Sequence, residues 1–169
     1  MATFILTAVG DDRPGLVSAL SAPISEHGGS WERSQMSRLG GKFAGIVLVA
    51  VGDDRLDALV ADLTALEGLH VAIERTDQPV EQESWRLTLD LLGADHPGIV
   101  AEISAALADQ GVSIEELSTD VVDAPMAGGT LFEAHAVLTA PPTTSSDQLR
   151  TMLEGLAAEL MVDITLADD

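Results

Sequence analysis

Six residues of this chain return at a domain-sized interval. Asp12-Arg-Pro-Gly-Leu-Val17 recurs 83 residues later as Asp95-His-Pro-Gly-Ile-Val100. The match continues without gaps: Ser21-Ala22 with Ser104-Ala105, Gly28 with Gly111, Ser30 with Ser113, Glu32 with Glu115. Apolar positions agree in kind, Leu16 with Ile99, Leu20 with Ile103, Ile24 with Leu107. A repeat of this length is a small domain rather than a solenoid unit. Two copies take up nearly all 169 residues. The expected division is 1–78 and 84–169, with a linker over 79–83 inside the polar, Pro-containing stretch Asp77–Glu83.

Each copy reads as one order of elements. Phe4–Val9 and Trp85–Leu92 are apolar or alternating and predict strands. A Gly and the Asp-x-Pro-Gly turn follow, with Pro14 and Pro97 expected at the first helical position, where a missing N–H costs nothing. Apolar residues at helical spacing come next, and Gly28-Gly29 and Gly111 stop those helices. Pro23 falls well inside the first helix, where proline ordinarily kinks the backbone. Strands are expected at Ser30–Leu39 and Phe43–Val51, and again at Ser113–Val122 and Leu131–Thr139. Gly40-Gly41 reverses the chain in the first copy and Asp123–Gly129 in the second. Leucine-lined amphipathic helices start near Leu56 and Leu149, the second capped by Ser145 or Ser146. Short strands, Val71–Arg75 and Val162–Leu166, close the copies.

This βαββαβ order, twice, predicts an α+β protein of two ferredoxin-like units in tandem. Each has an antiparallel sheet with both helices on one face. One such unit alone buries little of its surface, so pairing is expected, within the chain as a continuous eight-stranded surface or between chains as a homodimer through sheets or helices.

Composition narrows the function. There is no Cys, which excludes disulfides, thiolate catalysis and Cys-ligated metals, and no Asn for N-glycosylation. With 28 acidic and 8 basic residues the formal charge is −20, dispersed along the chain. That charge repels phosphate, so neither direct nucleic-acid binding nor an anionic membrane surface is expected. The N-terminus lacks a basic targeting segment and no apolar run approaches a bilayer span, so a cytoplasmic protein is expected.

The Asp-x-Pro-Gly-[Ile/Leu]-Val signature after the first strand of a βαββαβ unit resembles the ACT domain, a small regulatory module that often binds amino acids. His27-Gly-Gly-Ser-Trp31 and Ser34–Ile46 resemble the first half of the glycine cleavage system transcriptional repressor family. Glu115-Glu-Leu117, Ala124-Pro-Met126 and Leu131-Phe132 resemble its second half. The similarity covers essentially the whole chain and leaves nothing for a catalytic domain. It implies a non-enzymatic regulator of amino-acid or one-carbon metabolism. Such a regulator senses a small amino acid of the glycine or serine class and acts on a regulatory protein partner rather than on DNA.

The turn has a chemistry of its own. Amides of Gly15, Leu16 and Val17, and of Gly98, Ile99 and Val100, lie at a helix start without intrahelical partners. With the helix dipole they suit a carboxylate. Asp12 or Asp95 would hold the ammonium, and Arg13 or His96 could reach a carboxylate. The candidate ligand-binding residues are therefore Asp12, Arg13, Pro14, Gly15, Leu16 and Val17, with Asp95, His96, Pro97, Gly98, Ile99 and Val100. The alternative is structural: each Asp caps its own helix, and Pro and Gly only shape the turn. Serine-binding ACT domains often carry Asn where this chain has Asp. Gly98→Val is expected to abolish binding with the fold intact.

Other residues read as structural. No His-x-x-x-His or related spacing predicts a metal site, and no cofactor is expected. Gly40-Gly-Lys42 lacks the rest of a phosphate loop. Trp31 is expected in the core, and Met36, Met126, Met152 and Met161 as gap fillers. Glu115 and Glu116, adjacent on a strand, are expected to point to opposite faces, which would bar an acid–base pair. A constitutive interaction scaffold without a working ligand site is the competing function.

Overall fold

The alternation of the first strand decides which way its unit is built. In β1 (Ala2–Asp11), Ala2, Phe4, Leu6 and Ala8 are buried, while Thr3, Ile5 and Thr7 between them stay partly open. One face of the strand is therefore core, and the helices must cover it. The computed structural model describes residues 1–77, 82–126 and 128–169. They form two compact units, Met1–Val80 and Glu81–Asp169. Part of the expected linker and Ala127 of the second reversal lie outside the described residues.

In unit 1, β1 is followed by α1 (Leu16–Glu26), β2 (Ser30–Leu39), β3 (Lys42–Val51), α2 (Leu56–Thr64) and β4 (Leu69–Arg75). The antiparallel sheet runs β2-β3-β1-β4. Unit 2 repeats this as β5 (Trp85–Ala94), α3 (Ile99–Asp109), β6 (Ser113–Asp123), β7 (Thr130–Ala140), α4 (Ser146–Leu160) and β8 (Val162–Asp168). Its order is β6-β7-β5-β8. Both are ferredoxin-like sandwiches with both helices on one face, as the periodicities predict.

Each core lies between sheet and helices. Phe4, Leu6, Val47 and Val49 meet Leu20, Ile24, Leu59 and Leu63 in unit 1. Leu87, Leu89 and Leu138 meet Ile103, Leu107, Leu149 and Leu153 in unit 2. Each such side chain contributes about 1.5–3 kcal/mol when fully buried. Trp31 packs against the first core, and Met36 and Met152 fill edges as expected. Met126 and Met161 do not: they are 98% and 80% exposed, one on a hairpin tip and the other ending α4 in a left-handed conformation. Pro23 is tolerated inside α1 with its ring buried, and its carbonyl accepts from the His27 N–H. The stop at Gly28 is a Schellman closure, Gly28 N–H to Ser25 O and Gly29 N–H to Ile24 O, and Gly111 repeats it. Ser145 is the α4 cap, accepting from Gln148 N–H at 3.4 Å.

A bulge in β6 overturns one expectation. The pairing slips between Ile114 and Glu116, leaving Glu115 as an extra residue, and the equivalent slip in β2 falls at Glu32. Glu115 takes the Thr139 hydroxyl and an Arg86 nitrogen (3.1 Å) on the face away from the helices. Glu116 pairs with Val137 on the same face. The two carboxylates therefore share a face, because the bulge cancels the alternation. Among the described residues, no helix is long and apolar enough to cross a membrane.

The glycine before each signature is a packing requirement. A Cβ on Gly10 would sit 2.4 Å from the Gly68 carbonyl oxygen, and one on Gly93 would sit 2.9 Å from the Val162 Cα. Backbone cannot step aside as a side-chain tip can. We predict that Gly93→Ala destabilises by about 1–3 kcal/mol, the usual cost of overpacking. Gly155→Ala, on the exposed side of α4 with nothing near its Cβ, stabilises by about 0.4–1 kcal/mol. Urea denaturation of the two variants checks the opposite signs.

Candidate functional site: the paired Pro-Gly turns

Each turn is anchored at its entry. Asp12 N–H donates to Gly41 O and Asp95 N–H to Thr130 O, both at 3.0 Å, so the end of the first strand is held by the neighbouring hairpin. The next residues form a turn with proline at its first corner and glycine at its second. Gly15 has φ 90° and ψ 4°, and Gly98 φ 93° and ψ −1°. Those angles are the second corner of a type II turn, which favours glycine. The glycine carbonyls accept the first helical bonds, from Ala19 N–H at 2.9 Å and Glu102 N–H at 3.0 Å. Gly15 and Gly98 are thus the N-caps. Pro14 and Pro97 stand before the cap rather than at the first helical position, because the left-handed glycine delays helix entry.

A glycine cap has no side chain to spend on the helix amides. Among the described residues, the Val17 and Val100 amides have no protein acceptor, and neither Asp12 nor Asp95 turns back to them. Capping by the aspartates is therefore not the arrangement found. The Asp12 carboxylate instead accepts from Arg38 Nη1 at 3.3 Å. Asp95 is exposed, and the position matching Arg38 holds Val121: Arg38 pairs with Phe43 as Val121 pairs with Phe132. Asp11 takes the Lys42 ammonium, first through their hydrogen bond and then through charge, which holds its carboxyl below the usual range. Here too the second copy differs, with Ala94 facing Leu131. The first turn thus has two basic side chains on the adjoining strands, where the second has apolar ones.

The remaining candidates divide by direction. Leu16 and Ile99 send their side chains into the cores, so only their backbone is available at the turn. Val17 and Val100 are exposed beside it. Arg13 and His96 turn away from the amides to the neighbouring segment that enters the last strand. Arg13 Nη2 donates to Glu67 O at 3.2 Å, and His96 Nε2 lies 2.9 Å from Leu160 O. Arg38 and Lys42 were invisible as site residues from spacing, because only the strand register brings them to Asp12 and Asp11.

Shallow grooves lie elsewhere. The outer face of the first sheet carries one of about 480 Å³, near Thr7, Gln35, Met36 and Ile46. The second sheet carries one of about 450 Å³ with Asp90, Asp120, Glu133, Asp163 and His135. Cross-strand pairing brings His135 Nδ1 to 2.7 Å from Asp90 Oδ1, a contact that 45 residues of separation hide from local sequence reading. These carboxylates would repel an anionic ligand. Among the described residues, no group of three His, Asp or Glu could hold a metal ion.

The doubled fold and its signature place the chain among known proteins. The ACT domain pattern matches residues 2–73 and 86–167, and the chain belongs to the ACT domain family. Phosphoserine phosphatase SerB2 of Mycobacterium tuberculosis is 30% identical over 97% of this chain, which spans 40% of that enzyme's length. The glycine cleavage system transcriptional repressor of Escherichia coli is 26% identical over 92% of this chain and 84% of its own. A crystal structure of an unknown protein from Galdieria sulphuraria is 32% identical, with a TM-score of 0.90 over 99% of this chain and 98% of that one.

The backbone angle corrects one expectation about the turn. Space is open around a Gly98 Cβ, with only Glu102 Oε1 at 3.9 Å, but φ 93° excludes a β-branched residue without strain. We predict that Gly98→Val lowers stability by about 1–2 kcal/mol or more. Asp95→Ala, which removes no hydrogen bond, leaves the melting temperature within about a degree. Differential scanning calorimetry of both variants checks the contrast.

Proposed function

We propose that the chain is a non-enzymatic regulatory protein that binds a small amino acid of the glycine or serine class and thereby modulates a protein partner in the cytoplasm. The observation that carries this reading is the pair of open helix starts, capped by left-handed glycines, with a carboxylate beside each that does not occupy the amides. A ligand carboxylate would take the amides, and its ammonium would lie toward Asp12 or Asp95. The names of two relatives, one concerned with glycine cleavage and the other with phosphoserine, support the ligand class. The repressor relative supports transcriptional control of amino-acid or one-carbon metabolism as the setting. The net charge of −20 favours a protein contact over a DNA contact. A ligand that shifts affinity for the partner must have its own affinity shifted by the same factor.

One observation favours the competing scaffold reading in unit 1. The Asp12 carboxylate already has Arg38, so an incoming ammonium must share it. Asp95 accepts no such hydrogen bond and meets only the charge of the neighbouring His96, and we assign the stronger site to unit 2.

Thermal unfolding against the twenty amino acids tests the reading. Ligand at a hundred times its Kd adds about 2.7 kcal/mol of stability. Glycine or serine is expected to raise the melting temperature, and Asp95→Ala to reduce that rise without changing the ligand-free value. No response to any of the twenty establishes the scaffold instead.

A further inference from the structure

The residue after the signature aspartate does the same job in both units with different chemistry. Arg13 crosses to Glu67 O, in the segment between α2 and β4. His96 crosses to Leu160 O, at the end of α4 before β8. Each fastens its Pro-Gly turn to the chain that enters the last strand. Leu160 O is among the final carbonyls of α4, which have no intrahelical donor and carry the negative end of the helix dipole.

The imidazole has a second carbonyl to serve. Its Nδ1 lies 3.1 Å from Pro97 O while Nε2 lies 2.9 Å from Leu160 O. A carbonyl oxygen can only accept, and a neutral imidazole has one N–H. Both contacts are hydrogen bonds only when both ring nitrogens carry protons. We propose that His96 is a proton-dependent latch: as an imidazolium it ties the second Pro-Gly turn to the end of α4, loss of the proton releases one of the two bonds, and Arg13 holds the first turn whatever the pH.

The surroundings agree. The Leu160 carbonyl first, and then that of Pro97, raise the His96 pKa above its ordinary value, against a smaller opposing effect of burial. The charged groups acting on the ring are Asp95 at the turn and Glu102 on α3, both favouring the proton, and from α4 the Leu160 carbonyl does the same. The sign follows from linkage. The stabilisation is complete below the unfolded value of about 6.5 and is lost as pH rises through the higher folded value. An anion held on the second turn would then bind less tightly at high pH; that consequence rests on the ligand reading above, whereas the latch does not.

Two measurements on the ligand-free full chain decide it. Ring 15N NMR from pH 5.5 to 9 follows His96 beside His27, His70 and His135. We expect His96 to be doubly protonated at pH 6 and to lose its proton above about 6.5. Calorimetry then compares the wild type with His96→Arg, which carries the first unit's solution into the second. The variant is expected to match the wild type near pH 6 and to melt higher at pH 9. A His96 ring that titrates at or below about 6.5, or a melting difference that does not change with pH, overturns the latch. If His96→Arg does not fold, the ring titration still decides. Because no amino acid is present, failure here is separate from failure to bind one.

Discussion

The left-handed glycine at the end of each first strand is the constraint on which the rest of the structure turns. It closes the chain tightly enough for the helix to fall back across the buried face of β1 or β5. It also occupies the N-cap without a side chain, so the helix amides are left to whatever arrives. Any other residue there would trade one of these properties for strain. The glycine immediately before the turn, Gly10 or Gly93, belongs to the same device. It lets β4 or β8 begin against backbone, which brings the segment between α2 and β4 within reach of Arg13 and the end of α4 within reach of His96.

Repetition of the fold has not meant repetition of the site. The two units share topology, register, the bulge at Glu32 or Glu115, and the turn angles. They differ in what surrounds the turn. Arg38 and Lys42 neutralise Asp12 and Asp11 in the first unit, whereas Val121 and Leu131 stand in their places in the second. The same carboxylate therefore differs in availability: hydrogen-bonded to a guanidinium in unit 1, without such a bond in unit 2. Duplicated domains diverge easily in this way, because exposed positions carry little of the folding energy while core positions carry most of it. A predominantly acidic composition adds to the effect, since each cation is scarce and its placement matters.

Most of the architecture was legible without coordinates, and the reason is periodicity. The alternation along Phe4–Val9 and Trp85–Leu92 and the leucine stripes near Leu56 and Leu149 each carry a burial direction. The 83-residue repeat let the copies confirm each other. The site was legible only in outline. The turn, its free amides and the aspartates are nameable from sequence, yet Pro14 and Pro97 stand two positions before the first helical residue rather than at it. The side-chain directions of Arg13 and His96 did not follow from their neighbours. Glu115 and Glu116 share a face against simple alternation, and the bulge that causes this leaves no mark in composition.

The sequence alone determined that this is a doubled βαββαβ chain of the ACT type, because alternation, helical spacing and glycine placement are local properties that need no partner to be read. Tertiary structure decided which carboxylate is paired, which cation is spent on a carbonyl, and which helix start stays open. Those outcomes depend on strand register and on contacts across more than fifty residues, as from Arg13 to Glu67 and from His96 to Leu160. No local rule of propensity encodes where a distant carbonyl will lie.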